Sequence, residues 1–334
     1  MTKIVASLCD GMSCGHLALN KLGYKDESFQ LVTPEDKLIE YHTFEIDKYA
    51  EAVSKYRYPN AIRHGDARNW TDLIGKDVYL LMGGFPCQPY SVAGKGKADA
   101  DERDLSHLIV DALRGLKPKY FLFENVMMKQ EHQDRISEDL GVQPITINSA
   151  DFSAHNRKRL YWTNIPIEEW EDKGIVLKHI IEDGMVDRDK SYCVDANYFK
   201  GGSMKRYYEK SRRQLVFDTK GCHQVGEADI KGYDIIKRVY ATSGKSPALT
   251  TMQGGHREPK INTDELHWRA LSPLECERLQ TVPDGYTEYG RFHRKYPDIS
   301  MSNEIKPISN SQRYKMLGNG WTVSVIAHIM RGME

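Results

Sequence analysis

Four short apolar runs, at residues 4–8, 41–46, 78–82 and 120–123, alternate with segments of helical period through the first half of the chain. No other feature restricts the fold as much. Strand and helix alternating at this spacing predict a parallel sheet flanked by crossover helices, an α/β architecture. The first run leads into a loop with Gly11 and Gly15, then a helix with apolar positions at Leu17, Leu19 and Leu22 that ends at Gly23. Helices are also expected from about Lys48 and over 104–116. After about Pro166 the rhythm is lost. Gly201-Gly202, Gly221, Gly232, Gly244 and Gly254-Gly255 break the chain among many tyrosines and basic residues, the texture of a small, irregular, β-rich domain. Helical patterning returns over 272–280 and 323–330.

Composition narrows the function class. Of 334 residues, 40% are hydrophobic and 28% charged, which supplies a large core. Lys plus Arg equal Asp plus Glu overall, yet residues 185–260 carry 15 basic against 9 acidic side chains. Such asymmetry points toward a polyanion, although a solvated loop-rich surface would carry the same charges. None of the six cysteines forms a CxxC pair, so no metal site is expected. No run of about 18 apolar residues suggests a membrane span, and the first ten residues do not read as a signal peptide. A cytoplasmic chain with reduced thiols is expected.

In open α/β sheets, ligands bind beyond the carboxyl ends of the strands. The candidate chemistry falls at four such ends: the 9–15 loop, Glu45, the 83–88 loop and Glu124-Asn125. In Gly83-Gly84-Phe85-Pro86-Cys87-Gln88-Pro89, two glycines release the backbone from a buried strand and two prolines stiffen the loop beyond it. A cysteine held there is placed for exposure, not packing. A thiolate adding at C6 of a cytosine breaks the ring's aromaticity and makes C5 an enamine-like carbon able to attack a methyl sulfonium. That addition needs an acidic group at N3. Glu124, directly after the apolar 120–123 run, fits. In His155-Asn156-Arg157-Lys158-Arg159 the two arginines alternate, so on a strand they share a face, as they would on any basic surface strand. Glu45 ends a strand where a carboxylate can take both ribose hydroxyls, and Asp66 could accept an adenine amine; solvated caps would look alike.

These motifs, with Arg269-Ala270-Leu271-Ser272-Pro273-Leu274-Glu275-Cys276-Glu277-Arg278-Leu279-Gln280 and Leu317-Gly318-Asn319-Gly320-Trp321-Thr322-Val323, occur in an order that resembles the C5-cytosine-specific DNA methyltransferases of bacteria and phages. The match runs from residue 3 to about 330. The resemblance implies a Rossmann-like S-adenosylmethionine-dependent domain at 1–170 and 305–334, with a target-recognition domain at 171–304. It implies S-adenosyl-L-methionine as donor and a base flipped out of double-stranded DNA. It assigns Cys87 as nucleophile, Glu124 as the N3 partner, and Arg157 and Arg159 as supports of the base and catalytic loop. Cofactor contacts are implied for Cys9, Asp10, Gly11, Met12, Ser13, Gly15, Glu45, Ile46, Asp66, Ala67, Gly83, Asn319, Trp321 and Val323. DNA contacts are implied for Gln88, Ser91 and Arg103 of the catalytic loop, and for Thr250, Thr251, Gln253, Gly254 and Gly255 at the end of the recognition domain.

The chain departs from the family pattern at the cofactor loop, Leu8-Cys9-Asp10-Gly11 in place of a Phe-x-Gly-x-Gly form, and at His155, where the family usually has Gln. A tRNA cytosine-5 methyltransferase is the alternative within the family; a DNA-binding module without activity is the alternative outside it. A monomer is expected in the cytoplasm of a bacterial cell or phage-infected host, and a cognate restriction endonuclease is compatible but not required.

Overall fold

The first apolar run forms β1 (Lys3–Leu8), followed by α1 (Cys14–Lys21), a hairpin of β2 (Lys25–Glu27) and β3 (Gln30–Val32), β4 (Leu38–Phe44), α2 (Lys48–Arg57) and β5 (Ile62–Arg63). Next come β6 (Val78–Gly84), α3 (Ser106–Leu116), β7 (Tyr120–Val126), α4 (Gln130–Leu140), β8 (Ile145–Asn148) and β9 (Lys158–Thr163). This computed structural model describes residues 2–27, 30–35, 37–84, 106–217, 224–241, 260–262, 268–293 and 303–333. Cys87, Gln88, Ser91, Arg103, Thr250, Thr251, Gln253, Gly254 and Gly255 lie outside the described residues.

The nine strands form one sheet in the order β2-β3-β4-β1-β6-β7-β9-β8, with β5 paired to β4. Pairs β1–β4, β1–β6, β4–β5 and β6–β7 are parallel, and the two outer ends are antiparallel. Strand β1 is buried at Ile4 through Leu8 and β6 at Val78 through Gly83, as expected for parallel strands covered on both faces. The chain crosses from β1 to β4 on one side and then to β6 on the other, so the order reverses around β1. Leu8 lies opposite Phe44 and Gly83, and Gly84 opposite Glu124. The carboxyl ends of all four strands therefore meet at one topological switch point, the crevice where α/β sheets bind ligands.

The second half is irregular, as its glycines suggest: α5 (Met204–Lys210), β10 (Leu215–Phe217), β11 (Gln224–Glu227), α6 (Asp234–Lys237), β12 (Arg238–Ala241), β13 (Lys260–Asn262), β14 (Trp268–Ala270), α7 (Pro273–Leu279), β15 (Tyr289–His293) and β16 (Asn303–Pro307). Its strands pair in three small sheets, β10-β14, β11-β12-β13 and β15-β16. The chain closes with α8 (Asn310–Asn319) and α9 (Val323–Met330). Among the described residues, side chains of these segments join the main core. Leu177, Val194, Tyr198, Val216, Leu271 and Cys276 are buried in the same cluster as Val5, Met82 and Ile326.

Helix α7 explains the Arg269–Gln280 motif in structural terms. Ser272 and Glu275 make a reciprocal capping box, with Pro273 in the first turn. Glu275 and Glu277 are fully buried. Arg269 grips Glu275 with two bonds of 2.8 Å, and Arg313 reaches Glu277 at 3.0 Å, while main-chain N–H groups of Glu182, Gly285 and Thr287 fill remaining lone pairs. Charges so paired and bonded can be buried; stripped of either partner they could not.

Gly83 is required by close approach: a Cβ there would stand 2.8 Å from the Leu8 carbonyl oxygen, in the backbone of β1. Gly83→Ala is expected to destabilise the protein by about 1–3 kcal/mol through overpacking. A urea titration would show a lower midpoint at unchanged slope; an unchanged midpoint would mean that β1 and β6 separate freely at this point.

Candidate active site

Cys9, Asp10, Gly11, Glu45, Glu124, Arg157, Arg159, Asn319 and Trp321 line one cavity of about 380 Å³ at the switch point. That volume lies within the range of small-molecule sites. Cys14, Gly84 and Asn125, which belong to the strand-end loops and motifs marked in the sequence, also line the cavity, whereas Asp47 and Lys315 line it without any sequence signal. The Lys315–Asp47 ion pair joins residues 268 positions apart, so only the fold could reveal it.

The loop after β1 holds three residues in the left-handed region, Cys9, Gly11 and Ser13, with φ of 53°, 60° and 64°. Local bonds keep it there. Asp10 accepts from the Ser13 hydroxyl and, at 2.8 Å, from Tyr41, and Gly11 N–H donates to Glu45 Oε2 at 2.7 Å. Glu45 Oε1 accepts from the N–H groups of Ile46 and Asp47. Burial raises the carboxyl pKa values of both Asp10 and Glu45, opposed by these hydrogen bonds. Burial also pushes the Cys9 thiol up to about 12, helped by the charges of Glu45, Asp66 and Asp10.

Other residues assigned to the cofactor do not reach the cavity, each for a visible reason. Met12 is buried in the core, and Ser13 is buried between Asp10 and Ser54. Gly15 lets α1 pack on β6, since a Cβ would meet the Met82 side chain at 2.5 Å. Ile46 points outward, 76% exposed. Asp66 caps the 3₁₀ turn Ala67–Leu73 and pairs with Arg68 at 2.9 Å, though its charge still bears on the Cys9 thiol. Ala67 is buried in the second core cluster, Gly83 sits at the strand crossing, and Val323 begins α9 in the core.

The two arginines do different work. Arg159, on β9 opposite Val126, forms an ion pair with Glu124, its Nε 2.9 Å from Oε1. Trp321 Nε1 donates to Glu124 Oε2 at 3.2 Å, so the buried carboxylate is held from both sides. Arg157 is buried and turned into the protein: its guanidinium donates to the carbonyls of Val194 and Gly318 at 3.2 Å and of Gly320 at 2.9 Å. Gln280 Nε2 donates to Leu317 and Gly320 carbonyls. Together they hold the turn between α8 and α9, which carries Asn319 and Trp321 to the cavity wall. Gly318 is as tightly placed, because a Cβ there would lie 2.2 Å from the main chain of Asp195 and Ala196.

The sequence model of the family described as C-5 cytosine-specific DNA methylase matches residues 5–334. The orphan methyltransferase M.SPBetaI of Bacillus phage SPbeta is 36% identical over 153 residues, which cover 32% of this chain and 32% of that protein; the chain thus spans about a third of that relative's length. The type II methyltransferase M.HhaI of Haemophilus parahaemolyticus is 25% identical over 314 residues, covering 85% and 84% of the two chains. The solved structure of Entamoeba histolytica methyltransferase EhMeth shares the fold, with a TM-score of 0.61 at 14% identity over 100% of this chain and 98% of that one.

His155 is fully buried, with Nε2 3.1 Å from Thr322 Oγ1. Burial, with the charges of Arg157 and Arg159, holds its pKa well below the usual histidine value. The unfolded chain therefore takes up a proton below about pH 6.5 that the folded chain refuses, so stability falls as pH drops. The wild type is expected to lose up to about 1.4 kcal/mol per pH unit relative to His155→Gln as pH falls below about 6.5. Urea midpoints at neutral and mildly acidic pH would test it; parallel declines of the two proteins would show that His155 is not the group responsible.

Proposed function

The chain belongs to the C-5 cytosine-specific DNA methylase family, and from that premise we propose that it transfers a methyl group from S-adenosyl-L-methionine to C5 of a cytosine in a specific duplex DNA sequence. The observation that carries this reading is the convergence of Glu45, Glu124, Arg159 and Trp321 on one cavity at the switch point of the sheet. The family description names DNA, which favours duplex DNA over the tRNA alternative.

The cavity suits the donor. Glu45 offers a half-buried carboxylate whose orientation three main-chain N–H groups fix, placed to receive ribose hydroxyls. At Gly11 the space where a Cβ would stand is open, leaving the backbone accessible. Asp10, Gly11, Asn319 and Trp321 would hold the rest. When bound, S-adenosyl-L-methionine supplies an electrophilic methyl group on a sulfonium.

The residues of the chain would do the remaining work. Cys87, presented by its Gly- and Pro-flanked loop, adds as thiolate to C6, forming the S–C6 bond. A proton held between Glu124 and N3 neutralises the charge that develops on the ring. Arg159 and Trp321 orient Glu124 for this without occupying every lone pair of its carboxylate. C5 would then be the nucleophile toward the donor's methyl group, the sulfonium leaving as a neutral thioether, and loss of the C5 proton to solvent would expel Cys87 as thiolate and restore aromaticity. Arg157 acts at one remove, by fixing the turn that carries Trp321. We assign target recognition to residues 171–304, which include the basic stretch, and read the protein as independent of any endonuclease. Among the described residues no helix is long and apolar enough to cross a membrane.

Expression in a host without cytosine methylation, followed by bisulfite sequencing, is expected to show one short motif fully converted to 5-methylcytosine. Cys87→Ser should abolish methylation while leaving S-adenosylmethionine binding intact, and duplexes carrying 5-fluorocytosine should trap the wild type covalently. Unmodified DNA from soluble, cofactor-binding protein would overturn the duplex reading, and near-wild-type turnover by Cys87→Ser would overturn the nucleophile.

A further inference from the structure

Beyond the methyl-transfer cavity, the second half of the chain contains another pocket, of about 340 Å³, lined by Asn197, Lys200, Gly201, Gly202, Ser203, Lys210, Arg212 and Arg213. Four of its lining side chains are cationic and none is acidic. The one carboxylate paired with them among the described residues is Asp195, 3.0 Å from Arg212. Arg213 spends one nitrogen on the Gly201 carbonyl at 2.8 Å, while its buried Nε has no hydrogen-bond partner among the described residues. Cations drawn together in a concavity repel one another unless an anion joins them, and a buried guanidinium donor without a partner is costly. Both observations ask for an anion with several acceptor oxygens.

The pocket is connected through a short stretch of chain to the arginines of the cavity described above. The segment 193–197 joins the two. Cys193 Sγ lies 3.6 Å from Arg157 Nη1 and 3.9 Å from Arg159 Nη2, whereas Asn197 lines the basic pocket. Four residues span at most about 14 Å. Duplex DNA rises about 3.4 Å per nucleotide along each strand, so the reach of this segment alone corresponds to about four nucleotides of duplex. This placement, more than the charge alone, selects the ligand.

We propose that this pocket binds a backbone phosphodiester of the duplex whose target cytosine enters the cavity, positioning the strand without reading its sequence. The proposal rests on the duplex reading above and adds a site to it. Lys200 and Lys210 are exposed and suit the test, because Arg212 and Arg213 also support the local fold. The probe is a duplex of about 30 base pairs and arbitrary sequence, its affinity measured across a range of NaCl concentrations. Lys200→Gln/Lys210→Gln is expected to bind severalfold more weakly, with a salt slope shallower by about 0.9 for one lost phosphate contact. Lys25→Gln/Lys37→Gln, at the far edge of the sheet, should leave the slope unchanged, and thermal unfolding should show both variants folded.

An unchanged slope in the pocket variant, with normal wild-type binding, would overturn the pocket alone. A wild type that binds no duplex would overturn both readings. An equal loss in the control variant would show that net charge, not the pocket, carries the effect. Inorganic phosphate that saturates the pocket without changing duplex affinity would reassign it to free phosphate and overturn the backbone assignment.

Discussion

The guanidinium of Arg157 is the constraint on which the candidate site depends. It ties together the approach to β9, the 193–194 segment and the turn between α8 and α9, through three main-chain carbonyls. A cation is expensive to bury, and this one is supported by a planar array of donors matched to fixed acceptors. Lysine could not replace it: a single ammonium on a flexible stem cannot reach Val194, Gly318 and Gly320 with the same geometry. The consequence is chemical. Trp321 follows Gly320 directly, and its indole holds Glu124 from the side opposite Arg159. The carboxylate that faces the cavity is thus positioned by a chain of contacts that begins at Arg157, whose guanidinium bonds to main-chain carbonyls and not to the carboxylate.

The same logic governs the far side of the turn. Gln280, at the end of α7, bonds Leu317 and Gly320, and its oxygen accepts from Thr322, which also meets Ser149 and His155. Helix α7 is anchored in turn by the buried Glu275 and Glu277. A motif that looks in sequence like a functional signature is therefore mostly a support, made of polar groups that are satisfied only in one arrangement. Such networks specify one structure because partial satisfaction is worse than none.

Much of the catalytic half was legible in the sequence. Strands β1, β6 and β7 are nearly continuous apolar runs, and α9 occupies the residues its apolar period marks. The hairpin β2–β3 and helices α4 and α8 gave no such signal. Helix α4 buries His132 and Ser137 beside Ile136 and Leu140, and Ser137 receives the indole N–H of Trp162. Its inward face is half polar, so hydrophobic period could not expose it. Helix α8 buries only Met316, Leu317 and Gly318. The division at 171–304 is what the resemblance implies, and side chains from that stretch pack into the main core. Leu271, Cys276 and Tyr286 share the main core with Ile326. At the site, strand ends could be read from pattern, whereas the split between Arg157 and Arg159 could not, since alternation places side chains on a face but not what they touch.

The cavity also contains a thiol, which raises a question of selectivity for an electrophilic methyl donor. Cys9 lines the same space as Glu45 and Asp10. Only a thiolate is a competent nucleophile, and burial with three neighbouring carboxylates pushes this thiol up to about 12, so it stays protonated at neutral pH. Cys14 is raised to about 12 as well, chiefly by burial. The carboxylates suited to binding a cofactor thus also suppress the thiol beside it. Under the proposed reading, the thiol used for chemistry is Cys87, flanked in sequence by Pro86 and Pro89, and neither Cys9 nor Cys14 competes with it as a thiolate.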